Sequence, residues 1–398
     1  MSYFNYTEEL LGIQDIATLK VEEIDNITHI RITHKRRKQI CPRCGLPTNL
    51  IHDYREQPVK DLLCFDKPVL LHVRKRRYHC SNCGKNFAEK LPYLPKYARR
   101  TRRLTMKVLD ALAEARTFTS VAHEFNLSIN TVFRIFDVIH FATPELPKSL
   151  SIDEFRGNTG GEKFNCIIAD PETHKVLDIL PRRNDWYIQE YFLKYPREIR
   201  NRIQIFVSDM WKPYQDTAKA LFSKSTRVID KYHWMRQVIW AFERIRKDTQ
   251  KHLSPTYRRY FKHSRNLLLK PIDSLSEDDR CAVKVMLYAD ARLSSAHFYK
   301  DWFLQILRVH DRAEAKTLMD KWIESASHCG IDAMQGCART MQYWKTEILD
   351  SFNTPYTNGF IEGCNNKIKV LKRTAYGYRN FERFRNRILY IFSKEQSA

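Results

Sequence analysis

Four cysteines occur in two identical knuckles, an arrangement that binds zinc. They lie in the segments Cys41-Pro-Arg-Cys44-Gly45 and Cys80-Ser-Asn-Cys83-Gly84. The glycine of each knuckle lets the backbone curl so that both sulfurs face one ion, and two knuckles complete a tetrahedral four-sulfur site. The 35 residues between Cys44 and Cys80 are too many for a compact finger but suit a zinc ribbon with an intervening hairpin. We therefore predict a structural Zn²⁺ rather than disulfides.

Three carboxylates occupy positions from which they could hold a second kind of metal. Asp153 lies within a predicted strand, Asp209 directly follows another, and Glu362 lies on a predicted helix. Hard oxygen ligands suit Mg²⁺ or Mn²⁺, and a pair of such ions supports phosphoryl transfer by activating the attacking hydroxyl and stabilising the leaving oxygen. Spacing alone leaves other acids of this region in competition, namely Asp170, Asp178, Asp216 and Asp230.

An α/β layer is predicted to carry the two aspartates. Apolar runs at 150–155, 164–169 and 175–180, separated by Gly or Pro turns, predict an antiparallel meander. A helix near 185–195, a strand at 203–207, a helix from Pro213 and a strand at 226–229 follow. Asp209 then lies at the carboxyl end of its strand, where open sheets place their ligands.

The predicted helix of Glu362 begins at Asn353-Thr354-Pro355 and buries Ile361, Cys364, Ile368 and Leu371. The face that carries Glu362 also carries Asn358, Asn365, Asn366, Lys369 and Arg373. A solvated helix face has the same composition, so this helix alone does not establish a site.

A helix-turn-helix is predicted between residues 96 and 146. Leu104, Val108 and Leu112 mark a first helix, residues 120–125 a second, and Ser128 caps a third that runs to about Phe141. Ala122 is small where the helices cross, Phe125 and Leu127 are expected to be buried, and Asn126 can take the left-handed turn conformation. The exposed face of the third helix would then enter the major groove, and it consists of Ser128, Asn130, Thr131 and Arg134.

The charge of the chain points to a polyanionic partner. The 68 Lys and Arg residues exceed the 46 Asp and Glu residues, which gives a formal net charge of +22. The excess is concentrated at residues 31–150, with 24 basic and 10 acidic residues, and at 351–398, with 9 and 3. Clustering of this kind favours nucleic acid. The longest uncharged stretch, 351–361, is too short to span a bilayer, so we expect no membrane partner and a cytoplasmic location.

The residues resemble one known family, the ISL-three family of bacterial insertion-sequence transposases, which belongs to the wider group of DDE transposases. The resemblance spans nearly the whole chain and is most specific from Asn358 onward. It rests on the two knuckles, the helix-turn-helix, Ser151-Ile152-Asp153-Glu154-Phe155, Val207-Ser208-Asp209-Met210-Trp211, Asn358-Gly359-Phe360-Ile361-Glu362-Gly363, and Tyr376-Gly377-Tyr378-Arg379-Asn380-Phe381.

The resemblance implies that Asp153, Asp209 and Glu362 are the catalytic ligands of Mg²⁺ or Mn²⁺. Asp230-Lys231-Tyr232-His233 also resembles a signature that follows the second catalytic aspartate in such enzymes. His233 would then contact the scissile region, with a structural role at a strand end as the alternative.

The implied fold class is a multidomain α+β protein in which an RNase H-like catalytic domain is interrupted by an all-helical insertion. The predicted divisions are an N-terminal segment (1–35), the zinc ribbon (36–95), the helix-turn-helix (96–146), the first catalytic part (147–235), the insertion (236–350) and the last catalytic part (351–398). Trp302, Trp322 and Trp344 lie in the insertion, where core packing or stacking on an unpaired base are the two possible roles.

The implied function is that of a DNA transposase that binds the terminal inverted repeats of its element and then cleaves and joins strands. The expected partners are the double-stranded DNA of the ends and the target, with a homodimer on DNA in a bacterial cytoplasm and at its nucleoid. Lys369, Lys372 and Arg373 would hold backbone phosphates beside the active site. Two alternatives remain open at this point, a catalytically silent regulator derived from a transposase and a metal-dependent nuclease that never joins strands.

Overall fold

A computed structural model of the chain describes residues 11–396, apart from the side chains of Tyr260 and Lys262. The chain divides into two compact units. The first, here the DNA-binding unit, contains the residues up to 140 with 373–376 and the residues from 393 onward. The second, here the catalytic unit, contains 141–372 and 377–392.

The DNA-binding unit begins with a sheet whose strands surround the cysteine knuckles. Its strands are β1 (Ile16–Ile24), β2 (Ile27–His34), β3 (Gln39–Ile40), β4 (Pro47–Thr48), β5 (Ile51–Cys64), β6 (Lys67–His79) and β7 (Asn86–Ala88). The main sheet has the order β1-β2-β6-β5 with β7 on β6, and β3 pairs with β4. The predicted hairpin between the knuckles is therefore confirmed, as the antiparallel pair of β5 and β6. Strands from both sides of the predicted boundary at residue 36 share this sheet, and residues 1–10 of the predicted N-terminal segment lie outside the described residues.

Three helices follow the strands in the described part of the DNA-binding unit. They are α1 (Arg102–Leu112), α2 (Phe118–Glu124) and α3 (Ile129–Phe136). Ser128 caps α3 by accepting a hydrogen bond from the Thr131 backbone N–H, and Asn126 has a φ of 48°, both as predicted. The prediction that α3 reaches Phe141 is wrong, because Asp137 closes the helix and the Ile139 N–H turns back to Phe136.

A mixed sheet forms the centre of the catalytic unit. Its strands are β8 (Ser149–Phe155), β9 (Asn165–Asp170), β10 (Lys175–Leu180), β11 (Ile205–Ser208) and β12 (Thr226–Ile229). The order is β10-β9-β8-β11-β12. The first three strands form an antiparallel meander, whereas β11 runs parallel to both β8 and β12. This confirms the predicted strands, and the topology is that of an RNase H-like fold.

Helices cover and extend this sheet. They are α4 (Asp185–Leu193), α5 (Arg197–Arg200), α6 (Lys212–Leu221), α7 (Lys231–His252), α8 (Pro255–His263), α9 (Arg265–Leu269), α10 (Glu277–Tyr288), α11 (Ala291–Ile306), α12 (Arg312–Ser327), α13 (Asp332–Tyr343), α14 (Lys345–Asp350), α15 (Gly359–Thr374) and α16 (Phe381–Glu395). Leu150, Ile168 and Phe206 of the sheet pack with Ile188 and Phe192 of α4 in one core. Among the described residues, no helix is long and apolar enough to cross a membrane.

The segment from α7 to α14 is entirely helical apart from its loops and has a core of its own. Trp234 and Phe242 of α7 pack there against Phe303 and Trp322. Trp322 is fully buried, Trp344 is 8% exposed, and Trp302 packs on the same core. These three tryptophans therefore have the core-packing role.

Candidate active site

The register between two parallel strands brings Asp153 and Asp209 together. Val207 of β11 lies beside Ser151 of β8, so two residues further along each strand Asp209 stands beside Asp153. Ligand oxygens of Asp153, Glu154 and Asp209 lie within 4.8 Å of one another. The described structure thus places three carboxylates at one point on the carboxyl edge of the sheet, where a metal ion could bind.

Burial and mutual repulsion raise the pKa values of the two aspartates. The pKa of Asp153 rises to about 7, mainly because the residue is buried and further because of the charges of Glu154, Asp230 and Glu362. Burial, followed by the charges of Glu154 and Asp153, raises the pKa of Asp209 to about 8. A cluster that disfavours its own ionisation in this way is a favourable place for a cation.

Glu154 joins this cluster, although sequence reasoning had not selected it. Its Oε1 accepts a hydrogen bond from Arg183 at 2.8 Å, and its Oε2 accepts one from the Tyr214 hydroxyl at 3.2 Å. Both oxygens of Glu154 therefore already have partners in the protein. The period of a strand predicts that neighbouring residues point to opposite faces, so alternation alone places Glu154 away from Asp153.

The helix that carries Glu362 contacts the cluster through Asn365. Asn365 lies one turn after Glu362 and donates a hydrogen bond from Nδ2 to Asp153 Oδ2 at 2.9 Å. Its Oδ1 is buried and has no partner among the described residues. Glu362 is not a member of the compact carboxylate group, but its charge contributes to the raised pKa of Asp153. Glu362 itself is exposed.

Two features of this helix differ from the prediction. It begins at Gly359 rather than at residues 353–355, because the Asn358 N–H is held by Asp230 Oδ1 at 2.9 Å and residues 354–357 form a loop before it. Asn358 and Asn365, predicted on the exposed face, are 3% and 5% exposed. Both asparagines are instead used to join α15 to the sheet edge. The predicted buried stripe of Ile361, Cys364, Ile368 and Leu371 is confirmed.

Three of the competing acids have structural partners. Asp230 Oδ2 caps α7 through the Tyr232 N–H, while its Oδ1 holds Asn358. Asp178 accepts hydrogen bonds from Tyr191 and Arg385. Asp170 accepts from Thr173 within its own turn. The structure thereby distinguishes these acids from Asp153 and Asp209, a distinction that spacing could not make.

The four cysteines of the knuckles meet as predicted. The Sγ atoms of Cys41 and Cys83 lie 3.5 Å apart, as do those of Cys44 and Cys80. Sulfurs that each lie about 2.3 Å from a tetrahedral zinc are about 3.8 Å from one another, so the group fits the ion. Gly45 and Gly84 have φ values of 75° and 67° and close the two turns.

Electrostatics in the knuckles also favour thiolates. A hydrogen bond from the Leu46 backbone N–H is the main reason that the pKa of Cys44 falls to about 6. The Lys85 N–H similarly lowers the pKa of Cys83, but burial and the neighbouring sulfurs outweigh it and raise that pKa to about 12. Four sulfurs packed this closely repel one another once they are ionised, and a bound cation would relieve that repulsion.

Comparison with known proteins agrees with this geometry. Family models match at residues 150–388 (a transposase domain), 37–83 (the zinc finger of transposases IS204, IS1001, IS1096 and IS1165) and 89–140 (the helix-turn-helix domain of transposase family ISL3). The transposase for insertion sequence element IS1001 of Bordetella parapertussis is 30% identical over 356 residues, which are 87% of this chain and 86% of that protein. The chain belongs to the ISL3 family of transposases.

Two further relatives match over shorter regions. The transposase for insertion sequence element IS1557 of Mycobacterium tuberculosis is 28% identical over 122 residues, 31% of this chain and 27% of that protein. A Lactococcus lactis protein named as an ATP-dependent protease is 26% identical over 188 residues, 44% of this chain and 57% of its own length. As a transposase, the chain is an enzyme that cuts and joins DNA, and its helix-turn-helix and zinc ribbon bind DNA and zinc.

The helix-turn-helix of this transposase exposes part of the predicted recognition face. Asn130 and Arg134 are exposed, whereas Ser128 and Thr131 bond to each other at 2.9 Å between their hydroxyls. Arg134 lies near enough to Arg100 for its charge, together with burial, to lower the pKa of Arg100. Arg100 and the recognition helix thus place two positive charges near each other. Phe125 and Leu127, predicted to be buried, are half-buried because both lie in the turn.

The basic residues after Glu362 and the predicted His233 have separate surroundings in the transposase. Lys369 and Arg373 are exposed. Lys372 Nζ donates a hydrogen bond to the Arg156 carbonyl oxygen and so holds the loop after β8. Arg236 donates to His233 Nδ1 at 3.3 Å. Burial, followed by the Arg236 charge, lowers the pKa of His233, so its ring is neutral at neutral pH.

Proposed function

We propose that this transposase binds the terminal inverted repeats of its own element and cleaves and joins DNA strands at the acidic cluster. The register between β8 and β11 is the observation that carries the proposal, because it aligns Asp153 with Asp209 at the edge where ligands bind. The hydrogen bond from Asn365 to Asp153 holds the Glu362 helix against the same edge. Two strands from the first part of the catalytic unit's sequence and a helix from its last part would thus supply one site.

Asp153, Asp209 and Glu362 are the residues that would hold Mg²⁺ or Mn²⁺. Their oxygens are the ligand type that these ions prefer. Burial, and after it the neighbouring carboxylates, raise the pKa values of Asp153 and Asp209, and a bound divalent cation would favour their ionised forms. When bound, a pair of such ions would favour deprotonation of the attacking hydroxyl and stabilise charge on the leaving oxygen. Glu154, whose oxygens bond to Arg183 and Tyr214, is the supporting carboxylate rather than a ligand.

The proposed reaction has two steps of the same chemical type. In cleavage, the oxygen of water bonds to the phosphorus at the element's end, and the P–O3′ bond breaks to leave a 3′-hydroxyl and a 5′-phosphate. In joining, that 3′-hydroxyl bonds to a phosphorus of the target, and the target's own 3′-oxygen leaves with a proton. Lys369 and Arg373 would hold backbone phosphates near these atoms, and neutral His233 would accept or donate a hydrogen bond at the scissile region.

Recognition would lie in the DNA-binding unit. Asn130 and Arg134 would reach base edges in the major groove, while Ser128 and Thr131 shape the start of α3.

Inverted repeats are related by a two-fold axis, so a homodimer bound to both ends is the matching assembly. A bacterial cytoplasm, at the nucleoid, is the compartment where such a substrate occurs. The division into domains with the boundaries given above is part of this proposal.

An in vitro assay with a labelled end-bearing duplex, a target plasmid and Mg²⁺ tests the function. Wild-type protein should nick at the element's end and then covalently join that 3′-end to the target. Ala in place of Asp153, Asp209 or Glu362 should reduce both products by at least about 1,000-fold while leaving end binding within about twofold. Asp216→Ala, a change on α6 outside the cluster, is the matched control and should retain activity.

The same assay separates the two other functions. Binding of the ends without any cleavage would identify a regulator and contradict the proposal. Cleavage that never yields joined product, with every 3′-end remaining free, would identify a nuclease and contradict the joining step.

A further inference from the structure

A row of side chains runs along one face of α7, with exposed rings on either side of the half-buried Arg236. Tyr232, Arg236 and Trp240 are spaced four residues apart, so they lie on the same face of the helix. Tyr232 is 46% exposed and Trp240 is 53% exposed. Arg244 continues the row one turn later and is exposed. The opposite face of α7 is buried in the helical core through Trp234, Val238 and Phe242.

The guanidinium of Arg236 organises the two rings. Its Cζ lies 4.4 Å from the centre of the Trp240 ring and 5.4 Å from the centre of the Tyr232 ring. Two aromatic side chains are thereby held at the surface with a cation between them. Exposure alone does not identify a binding residue, since Trp186 is 66% exposed; this row is distinguished by two rings that share one guanidinium on a single helix face.

The row lies next to the reacting centre. α7 begins at Lys231, two residues after β12 ends, and β12 pairs with β11 so that Ile229 lies beside Ser208, the residue before Asp209. The helix therefore starts at the sheet edge that carries the acidic cluster. From Tyr232 to Trp240 the helix rises about 12 Å, the length of three or four stacked nucleotides. A DNA strand leaving the acidic cluster along α7 would therefore pass over both rings.

We propose that Tyr232, Arg236 and Trp240 form a stacking surface for unpaired nucleotides of the strand that is cut. Aromatic faces stack on any base, and arginine adds a planar cation that binds the backbone. In a duplex the faces of the bases are covered by the neighbouring bases. Rings in this position can therefore stack only on bases of an unpaired strand. This inference rests on the proposed function and adds that the DNA beside the scissile phosphate is unpaired when it is bound.

Binding of simple DNA probes tests the surface without requiring cleavage. The full-length protein is titrated, with Ca²⁺ in place of Mg²⁺, against three fluorescein-labelled probes: a twelve-nucleotide oligothymidine strand, a duplex of equal length, and that duplex with a four-nucleotide unpaired tail. Trp240→Ala should weaken binding of the single strand and of the tailed duplex by about 5- to 100-fold, which corresponds to the loss of one or two stacked bases. Binding of the plain duplex should change by less than about twofold.

Two control variants make the result specific. Trp240→Phe keeps a stacking ring and should retain affinity for the tailed duplex within about threefold. Trp186→Ala removes another tryptophan, 66% exposed on α4, and should have no effect on any probe. Thermal unfolding is monitored by circular dichroism. The same unfolding temperature in all variants shows that the fold is retained.

Several outcomes would overturn the inference. Unchanged binding of the single strand by Trp240→Ala would show that the rings do not contact bases. Equal losses for single-stranded and duplex probes would show that the surface follows the phosphate backbone only. Failure of the proposed function appears differently, as wild-type protein that binds the tailed duplex through Trp240 yet neither cleaves nor joins end-bearing DNA with Mg²⁺.

Discussion

Replacing Asp209 with Asn should make the stability of the catalytic unit much less dependent on pH. In the wild-type protein, burial and then the charges of Glu154 and Asp153 raise the pKa of Asp209 from an ordinary 3.8 to about 8. Between these two values the folded chain retains a proton that the unfolded chain has lost. Raising the pH through this window therefore favours the unfolded chain, and the free energy of unfolding falls.

The structure sets the size of the effect. Each pH unit of the window corresponds to about 1.4 kcal/mol, so the difference between 3.8 and about 8 gives an upper bound of about 6 kcal/mol. Local relaxation and entry of water reduce such penalties in real sites, and we expect about 2–4 kcal/mol between pH 4 and pH 9. Asp209→Asn removes this penalty.

Tryptophan fluorescence during urea unfolding measures the catalytic unit alone. The 7 tryptophans of the chain all lie between residues 186 and 344, and thus within that unit. Unfolding without divalent cations is compared at pH 5, 7 and 9 for wild type, Asp209→Asn and the control Asp216→Asn. Wild type and the control should lose stability toward pH 9, whereas Asp209→Asn should lose at least about 2 kcal/mol less.

Addition of Mg²⁺ should act in the opposite direction. Cation binding to the ionised cluster stabilises the folded wild type most at high pH, and should do so much less for Asp209→Asn. A wild-type protein whose stability is the same at pH 5 and pH 9, or a pH dependence that Asp209→Asn leaves intact, would refute the reasoning about the cluster.

Three other predictions concern zinc, DNA and the helix of Glu362. Cys44→Ser should remove one equivalent of zinc, measured by metal analysis, and unfold the knuckle region in proteolysis; full zinc content and an intact ribbon would contradict the four-sulfur site. Arg134→Ala should weaken binding to the element's ends by roughly 1–3 kcal/mol and reduce their preference over scrambled DNA, whereas Lys369→Ala should reduce only the salt dependence; the reverse result would exchange the two roles. Asn365→Ala removes a hydrogen bond to a carboxylate worth roughly 1.5–3 kcal/mol, so single-turnover cleavage should slow about 10- to 100-fold, and more Mg²⁺ should be needed for half-maximal rate. If Asn365→Ala cleaves at the normal rate with the normal Mg²⁺ requirement, the hydrogen bond to Asp153 has no role in catalysis.

The parts of the fold that were predictable are those in which local pattern and global structure agree. Gly45 and Gly84 close the two knuckles locally, so the spacing of the cysteines sufficed. The strands of the catalytic sheet carry short apolar runs between turns, and nearly every predicted strand appears. The helix of Glu362 was predicted with the correct buried stripe because its period is set by neighbouring residues.

The parts that were not predictable depend on long-range contacts. The start of α15 is fixed by Asp230, 128 positions away in sequence, through its bond to the Asn358 N–H. Asn365 contacts Asp153 across 212 positions, so its polar side chain looked like part of a solvated face. Glu154 was not predicted because strand alternation places adjacent residues on opposite faces of a sheet. In the structure the carboxylates of Asp153 and Glu154 nevertheless lie in the same group.

Location of the metal ions in a DNA-bound structure tests the central claim most directly. The measurement is an anomalous difference map from crystals of the full-length protein with an end-bearing duplex, in which Mn²⁺ replaces Mg²⁺. We predict Mn²⁺ peaks within about 2.0–2.3 Å of carboxylate oxygens of Asp153, Asp209 and Glu362, with the scissile phosphate beside them. Peaks that lie elsewhere, or a Glu362 carboxylate that remains beyond ligand distance while DNA and metal are bound, would contradict the account.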